Sequence, residues 1–194
     1  MAEDPYVYPD SSVLRNRFGE HDAARLSERE AAATAVRIAE LAERPIAGRY
    51  DLRHLQAVHA HIFGDVYDWA GELRTVTIAR GDVFALPEHI KPYLDRVLDA
   101  LAAENYLREL DRDAFIDRLT YYLGEINSVH PFREGNGRTQ RAFLSQLARE
   151  AGFRIEWLRL DTARNIEASQ AAHRGNEQPL RDMLAELIAD PRDD

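Results

Sequence analysis

The sequence predicts an all-α fold that carries one small β-hairpin. Strong helix formers with apolar residues at helical spacing recur along most of the 194-residue chain, and one stretch rich in β-branched residues interrupts them. The composition, 45% apolar and 30% charged, suits a globular protein. We expect an irregular arm over residues 1–20, where prolines and serines cluster, and a single domain over 21–190.

Helices are predicted where an apolar stripe lies between a capping residue and a helix breaker. The first is expected from Asp22 to Glu43, before Pro45 and Gly48. Asp51 is expected to cap the second. Later helices are predicted over 87–107, 111–128, 136–150, 161–173 and 177–189.

The β-hairpin is predicted over residues 73–86. Residues 73–79 read Leu-Arg-Thr-Val-Thr-Ile-Ala, the turn signal Arg80-Gly81-Asp82 follows, and Val-Phe-Ala-Leu completes the second strand. Because an isolated hairpin is marginally stable in water, we expect it to pack on the helices.

Charge and composition exclude several classes of function. Lys plus Arg is 25 and Asp plus Glu is 34, so the net charge is 25 − 34 = −9, which disfavours direct binding to nucleic acid. The chain has no cysteine, so disulfides, thiolate metal sites and a cysteine nucleophile are excluded. The first ten residues carry Glu3, Asp4 and two prolines, so we do not expect them to form a signal peptide, and no run of 18 apolar residues predicts a membrane span. We expect a cytoplasmic protein without a membrane segment.

The densest chemical signal begins at His130. Because Pro131 disfavours a helical conformation at the preceding residue, the helix before it should end near Val129 and leave His130 facing a loop. A histidine titrates near neutrality and can accept a proton at cellular pH, although packing is the alternative role. Phe132 is expected to anchor the loop in the core.

The loop then enters a helix through Gly135-Asn136-Gly137. These residues allow the backbone N–H groups to converge, and a helix N-terminus adds a partial positive charge, so the segment suits a phosphate. Arg138 and Arg141 lie three residues apart on one helix face. An ion pair with Glu134 or Glu150 is the alternative reason for their position.

Glu134 lies among these cationic groups and would repel a polyphosphate unless a cation stood between them. Mg²⁺ is the natural choice, because it binds through one or two carboxylates and phosphate oxygens. A third group of residues, His54, His59 and His61, lacks the spacing of a metal-binding helix and is expected to pack or to face solvent.

The segment from His130 to Arg141 resembles the signature of the Fic family, His-x-Phe-x-(Asp/Glu)-Gly-Asn-Gly-Arg-x-x-Arg, at every defined position. A second stretch, His61–Arg74, is similar to the segment that precedes the family's hairpin. The resemblance is strongest to single-domain bacterial Fic toxins. It implies a helical fold with the hairpin, called the flap, beside an active-site loop over residues 130–137.

The resemblance also implies a protein adenylyltransferase that moves AMP from ATP to a Ser, Thr or Tyr hydroxyl of a target protein. His130 would be the general base and Glu134 would hold Mg²⁺. Gly135, Asn136, Gly137 and Arg138 would bind phosphates, and Arg141 would contact the γ-phosphate. His173 would lie near the adenine, and the flap residues Val76, Ile78, Val83 and Phe84 would dock the target.

Many Fic proteins inhibit themselves through the pattern (Ser/Thr)-x-x-x-Glu-(Gly/Asn). No serine or threonine of this chain has a glutamate four residues later. We therefore expect a separate small antitoxin to supply a glutamate to Arg141, and the resemblance makes a type II topoisomerase subunit a plausible target. Three alternatives stay open: transfer of a phosphoryl, UMP or phosphocholine group, a non-catalytic regulatory domain, and a metal-dependent hydrolase.

Overall fold

The computed structural model describes residues 4–80 and 82–189, and within them seven α-helices and two short antiparallel β-pairs form. The bounds are α1 Ala23–Glu43, α2 Leu52–Phe63, β1 Ala79–Arg80, β2 Asp82–Val83, α3 Pro87–Ala103, α4 Arg112–Val129, α5 Asn136–Glu150, β3 Arg154–Ile155, α6 Thr162–His173, α7 Gln178–Leu187 and β4 Ile188–Ala189. The predicted helical fold with a small hairpin is confirmed. No helix among the described residues combines the length and apolarity needed to cross a membrane.

Aspartate side chains determine where four of the helices begin. Asp22, Asp51, Asp111 and Asp161 precede α1, α2, α4 and α6, and each accepts a hydrogen bond from the backbone N–H three residues later. Such a cap satisfies a donor that has no partner within the helix and contributes about 0.5–2 kcal/mol. The predicted starts of these helices are therefore confirmed to within one residue.

Helix α4 lies at the centre of the helical layers and contacts α3, α5, α6 and α7. Its side chains Leu119, Tyr122 and Ile126 are fully buried. The loop after α4 inserts Phe132 into the same core, with 0% of its surface exposed, as predicted. Burial of one such side chain stabilises the fold by about 1.5–3 kcal/mol, so the core fixes the loop that follows α4.

The hairpin forms, but its paired part is shorter than predicted. Ala79 pairs with Val83 and Arg80 with Asp82, and one further bond joins the Phe84 N–H to the Ile78 carbonyl. The predicted turn residue Gly81 lies outside the described residues. Nearer the helices the described residues of the two stems do not pair with each other, and one carbonyl group of each stem accepts a hydrogen bond from a buried arginine, described below.

Two helices end earlier than the sequence predicts. Helix α3 was expected to reach Leu107 but ends at Ala103, and left-handed residues then turn the Leu107 side chain into the core. The last helix was expected to reach Ala189 but ends at Leu187. Residues 188–189 instead pair with 154–155, and this pairing buries the β-branched Ile188. The sequence did not predict this strand pair.

The arm has no helix over residues 4–20 and is held together by turns and an isolated bridge between Val7 and Leu14. Residues 1–3 of the predicted arm lie outside the described residues. The Tyr6 ring packs edge-on against Trp69, and its hydroxyl accepts a hydrogen bond from the Thr75 N–H at 3.1 Å. The arm therefore lies against the base of the hairpin.

Candidate active site

A cavity of about 410 Å³ opens where the loop after α4, the start of α5, helix α6 and the hairpin meet. It brings together most of the predicted site residues, namely Ile78, Phe84, His130, Glu134, Gly135, Asn136, Gly137, Arg141 and His173. Three predicted residues, Val76, Val83 and Arg138, do not line it. Most of the residues predicted from the sequence therefore line one cavity, and Arg138 lies beside it.

His130 caps the C-terminal end of α4 in a left-handed conformation, with φ 50° and ψ 66°. Its Nδ1 lies 3.1 Å from the Asn127 carbonyl oxygen, which can only accept, so Nδ1 carries the hydrogen in the neutral ring. Nε2 is then the basic nitrogen. The Phe84 ring of the hairpin stacks on the imidazole, with 4.0 Å between ring centroids.

The turn into α5 requires a glycine at position 135. Gly135 has φ 80°, and a Cβ there would lie 2.1 Å from the Phe63 ring. The Asn136 side chain is buried and forms two hydrogen bonds with the backbone of Phe132, at 2.9 and 2.8 Å. Asn136 thus holds the loop closed with its amide, while its own N–H belongs to the first turn of α5, whose donors lack partners within the helix.

Glu134 is half exposed at the cavity wall. Its Oε1 accepts a hydrogen bond from the Gly135 N–H at 2.8 Å and lies 3.5 Å from Arg138 Nη2. A single carboxylate beside backbone donors that suit phosphate is a donor set that Mg²⁺ accepts, since this ion keeps several water and phosphate ligands. The residues present therefore fit a magnesium–nucleotide complex, in which Glu134 would be the protein ligand.

The two arginines of α5 have different surroundings. Arg138 turns toward α1, where it binds Glu30 at 2.5 Å and Thr34 at 3.1 Å. The alternative was an ion pair with Glu134 or Glu150: Glu134 lies within ion-pair distance of Arg138, at 3.5 Å, but the nearer partner is Glu30, which was not predicted. Glu150 was the wrong candidate, because it binds Arg108 at 2.6 Å.

Arg141 lines the cavity and forms no ion pair with any residue in 4–80 or 82–189. Burial, and then the neighbouring Arg138 charge, lower the pKa of the Arg141 guanidinium. A desolvated cation beside another cation favours binding of an anion.

Another part of the cavity lining is a largely polar stripe on α6, from which the sequence predicted only His173. It contains the polar residues Thr162, Asn165, Ser169 and Gln170, with the apolar Ile166 among them. Spacings of three and four residues put these side chains on one helix face, so the pattern was visible in the sequence. The His173 Nδ1 lies 3.4 Å from the Ser128 hydroxyl.

Arg133 is a second missed residue of the cavity wall. Its Nε and Nη2 donate to the same Asp4 oxygen, at 3.1 and 2.9 Å. This pair joins the arm to the active-site loop across 129 residues of sequence, so no local pattern could have indicated it.

His59 is buried beneath the active-site loop and forms a hydrogen bond with its backbone. It is 0% exposed, accepts a hydrogen bond from the Gly71 N–H at Nδ1 and therefore donates from Nε2 to the Glu134 carbonyl at 3.0 Å. This histidine was expected to pack or to face solvent, and the structure buries it between the segment before the hairpin and the loop.

The fold and the site define a helical protein whose hairpin overhangs a cavity bounded by a histidine, a glutamate and a helix N-terminus. Residues 49–148 match the Fic/DOC family, and the chain belongs to that family.

Curated relatives and solved structures agree with this assignment. The chain is 43% identical over 96% of its length to the protein adenylyltransferase VbhT of Bartonella schoenbuchensis, of which it spans 38%. It is 37% identical to the probable protein adenylyltransferase Fic of Salmonella typhimurium, covering 99% of this chain and 96% of that protein. BepC from Bartonella tribocorum with bound AMPPNP superposes with a TM-score of 0.89 at 25% identity, covering 96% and 97% of the two chains. A Fic domain from Bartonella quintana with bound ADP gives 0.88 at 28% identity, covering 95% and 94%.

Proposed function

We propose that this protein transfers AMP from ATP to a Ser, Thr or Tyr hydroxyl of a target protein. Two relatives bear the name protein adenylyltransferase, and two structural neighbours hold AMPPNP or ADP. The observation that carries the proposal is the contact between His130 Nδ1 and the Asn127 carbonyl oxygen, at 3.1 Å. The Nδ1–H of His130 is engaged by the Asn127 carbonyl, so the basic nitrogen Nε2 belongs to a ring that lines the same cavity as Glu134 and Arg141.

The reaction begins with proton transfer from the target hydroxyl to His130 Nε2. The hydroxyl oxygen attacks the α-phosphorus and forms a new P–O bond, the bond from that phosphorus to the β-phosphate bridging oxygen breaks, and pyrophosphate leaves. General-base assistance accounts for about 10²–10⁴-fold of such an acceleration. Positioning and charge stabilisation supply most of the rest.

Nucleotide binding is assigned to the turn into α5 and to the arginines that follow it. The backbone donors of Gly135–Gly137 bind phosphate oxygens, for which the Gly135 N–H would exchange its bond to the Glu134 carboxylate. Arg141 binds the γ-phosphate, and Arg138 contributes its charge from beside the cavity. Glu134 would hold Mg²⁺, which offsets the negative charge of the triphosphate when bound. His173 lines the same cavity and is proposed, by resemblance, to contact the adenine.

Target docking is assigned to the flap (residues 73–86), through Val76, Ile78, Val83 and Phe84. Val83 is 60% exposed, and its strand has an open edge that can pair with an extended segment of the target. Because Phe84 covers the His130 ring, the target side chain must share or displace that contact to bring its hydroxyl to the base.

Control is assigned to a second protein. The chain lacks the internal inhibitory pattern, and Arg141 has no ion pair among the described residues, so a small antitoxin that presents a glutamate would find an unoccupied partner. A toxin of this kind would act in the cytoplasm, where ATP and Mg²⁺ are available. A type II topoisomerase subunit is the proposed target, by resemblance.

Labelled ATP tests the reaction. In a bacterial lysate, α-labelled ATP should label a target protein and γ-labelled ATP should not. The variant H130A should abolish labelling and leave the affinity for ATP nearly unchanged, whereas H89A, at an exposed histidine of α3, should label normally.

The other outcomes decide against the proposal. Label from the γ position would indicate phosphoryl transfer, and label from UTP or CDP-choline would indicate another transferred group. No label from any donor would indicate a regulatory domain. Labelling by H130A at the wild-type rate would refute the assignment of the base.

A further inference from the structure

Arg74 is a buried cation whose guanidinium binds backbone carbonyl groups. Only 2% of the residue is exposed. Four carbonyl oxygens accept its hydrogen bonds, those of Val76 at 2.7 Å, Ala85 at 2.6 Å, Val129 at 3.0 Å and His130 at 2.8 Å.

These four carbonyls belong to three separate pieces of the active site. Val76 lies on the stem that enters the flap and Ala85 on the stem that leaves it, while Val129 and His130 end helix α4. The Arg74 backbone N–H also donates to the Pro131 carbonyl at 2.9 Å. One residue thus joins both flap stems to the backbone of the proposed base.

The electrostatics explain how a cation is tolerated there. Within the described part of the chain, Arg74 forms no ion pair with a carboxylate. Instead it occupies the C-terminal end of α4, where carbonyl groups lack partners within the helix and carry partial negative charge. A lysine would keep the charge, but its single nitrogen cannot reproduce the planar fork of five N–H donors that spans these carbonyls.

The strand pairing within the flap is too short to fix its position relative to the helices. Its strands pair over two residues each, and a short isolated hairpin is marginally stable in water. We infer that Arg74 is a positioning residue that fixes the flap relative to His130, so that a target bound to the flap presents its hydroxyl to the base. This inference rests on the proposed function for its catalytic consequence, but its structural part does not depend on any activity.

The variant R74K tests the inference, and R112K is the matched control. Arg112 also donates to two backbone carbonyls, those of Ala185 and Ile188, but it begins helix α4, whereas Arg74 binds carbonyls at the other end of that helix. In R74K without nucleotide, amide hydrogen exchange over residues 76–85 should quicken by at least about tenfold, because hydrogen bonds to a charged group are lost there. In R112K, exchange over those residues should match the wild type.

Activity provides a second readout. Target labelling by R74K should fall by about 10²-fold, the effect of a misplacement of about 1 Å. Its affinity for ATP, and the slow attack of water on ATP that yields AMP and pyrophosphate, should change much less, because neither requires a protein docked on the flap. Equal loss of both reactions would overturn the positioning role, and unchanged flap exchange in R74K would overturn the structural coupling.

If R74K does not fold, the wild-type protein still gives an answer. The inference requires the Arg74 side-chain N–H groups and the flap amides to open together, with similar protection factors in exchange measured by NMR. Flap amides that exchange far faster than the Arg74 side chain would show that the flap moves independently, and would refute the inference. If the transfer reaction itself is absent, these exchange results still stand, so the two failures are distinguishable.

Discussion

Acidification is expected to destabilise this protein through His59, and the substitution H59Q should remove that part of the loss. The neutral His59 ring suits its site, because Nδ1 accepts from the Gly71 N–H at 2.8 Å and Nε2 donates to the Glu134 carbonyl. The ring also stacks on Phe132, with 3.9 Å between centroids. A proton added at Nδ1 would oppose the Gly71 N–H with a second donor.

The magnitude follows from the pKa. Burial lowers the pKa of His59 from 6.5 to about 4. Between these two values the unfolded chain binds a proton that the folded chain rejects, so the free energy of unfolding falls as the pH falls. A difference of 6.5 − 4 = 2.5 pKa units, at about 1.4 kcal/mol per unit, corresponds to about 3 kcal/mol lost between pH 6.5 and pH 4.

Urea unfolding near pH 7 and near pH 4 measures this loss. The wild type and H59Q share every other titrating group, including His54, whose pKa burial also lowers, so the difference between their pH profiles isolates His59. We expect the H59Q profile to be shallower by about 3 kcal/mol. The control H89Q removes an exposed histidine and should leave the profile unchanged. Parallel profiles for H59Q and the wild type would refute the depressed pKa.

Two further substitutions test the loop and its support. G135A should lower the free energy of unfolding by about 1–3 kcal/mol more than G152A does. Both positions have positive φ, but only a Cβ at position 135 would meet the Phe63 ring. Thermal unfolding measures the difference, and equal losses would contradict the close contact. E30Q removes the charged partner of Arg138 and should cost about 1.5–3 kcal/mol in urea unfolding, whereas a loss below about 0.5 kcal/mol would show that the pair behaves like an exposed one.

The parts of the fold that local chemistry controls were predictable. Asp22, Asp51, Asp111 and Asp161 begin helices because each satisfies an N–H close to it in sequence, and a pattern of capping residue and apolar stripe records that. That most residues of the segment after α4 meet at one cavity was also predictable, because the segment from His130 to Arg141 resembles a family signature at every defined position.

Contacts between distant segments were not predictable. Arg74 reads as a polar residue in a β-rich stretch, and only the tertiary fold brings the end of α4, 55 residues later, within reach of its guanidinium. Its bonds to the carbonyls of Val76 and Ala85 hold the flap stems where the predicted strands do not pair. The contact between the arm and the active-site loop was not predictable for the same reason, because Asp4 and Arg133 are 129 residues apart in sequence.

The two arginines of α5 are three residues apart in sequence, but their surroundings differ, and the spacing alone does not predict that difference. Arg138 already has Glu30 as a partner, so a bound phosphate would interact with a guanidinium whose charge is partly neutralised. Arg141 instead lies in the cavity wall, where burial lowers the pKa of its guanidinium. An anion at Arg141 would relieve that penalty, whether it is a phosphate of ATP or a glutamate of an antitoxin. If both proposals hold, the two ligands compete for one guanidinium, and the apparent affinity of the antitoxin must fall as the ATP concentration rises. Antitoxin binding measured at increasing concentrations of a non-hydrolysable ATP analogue tests this, and an affinity independent of the analogue would separate inhibition from Arg141.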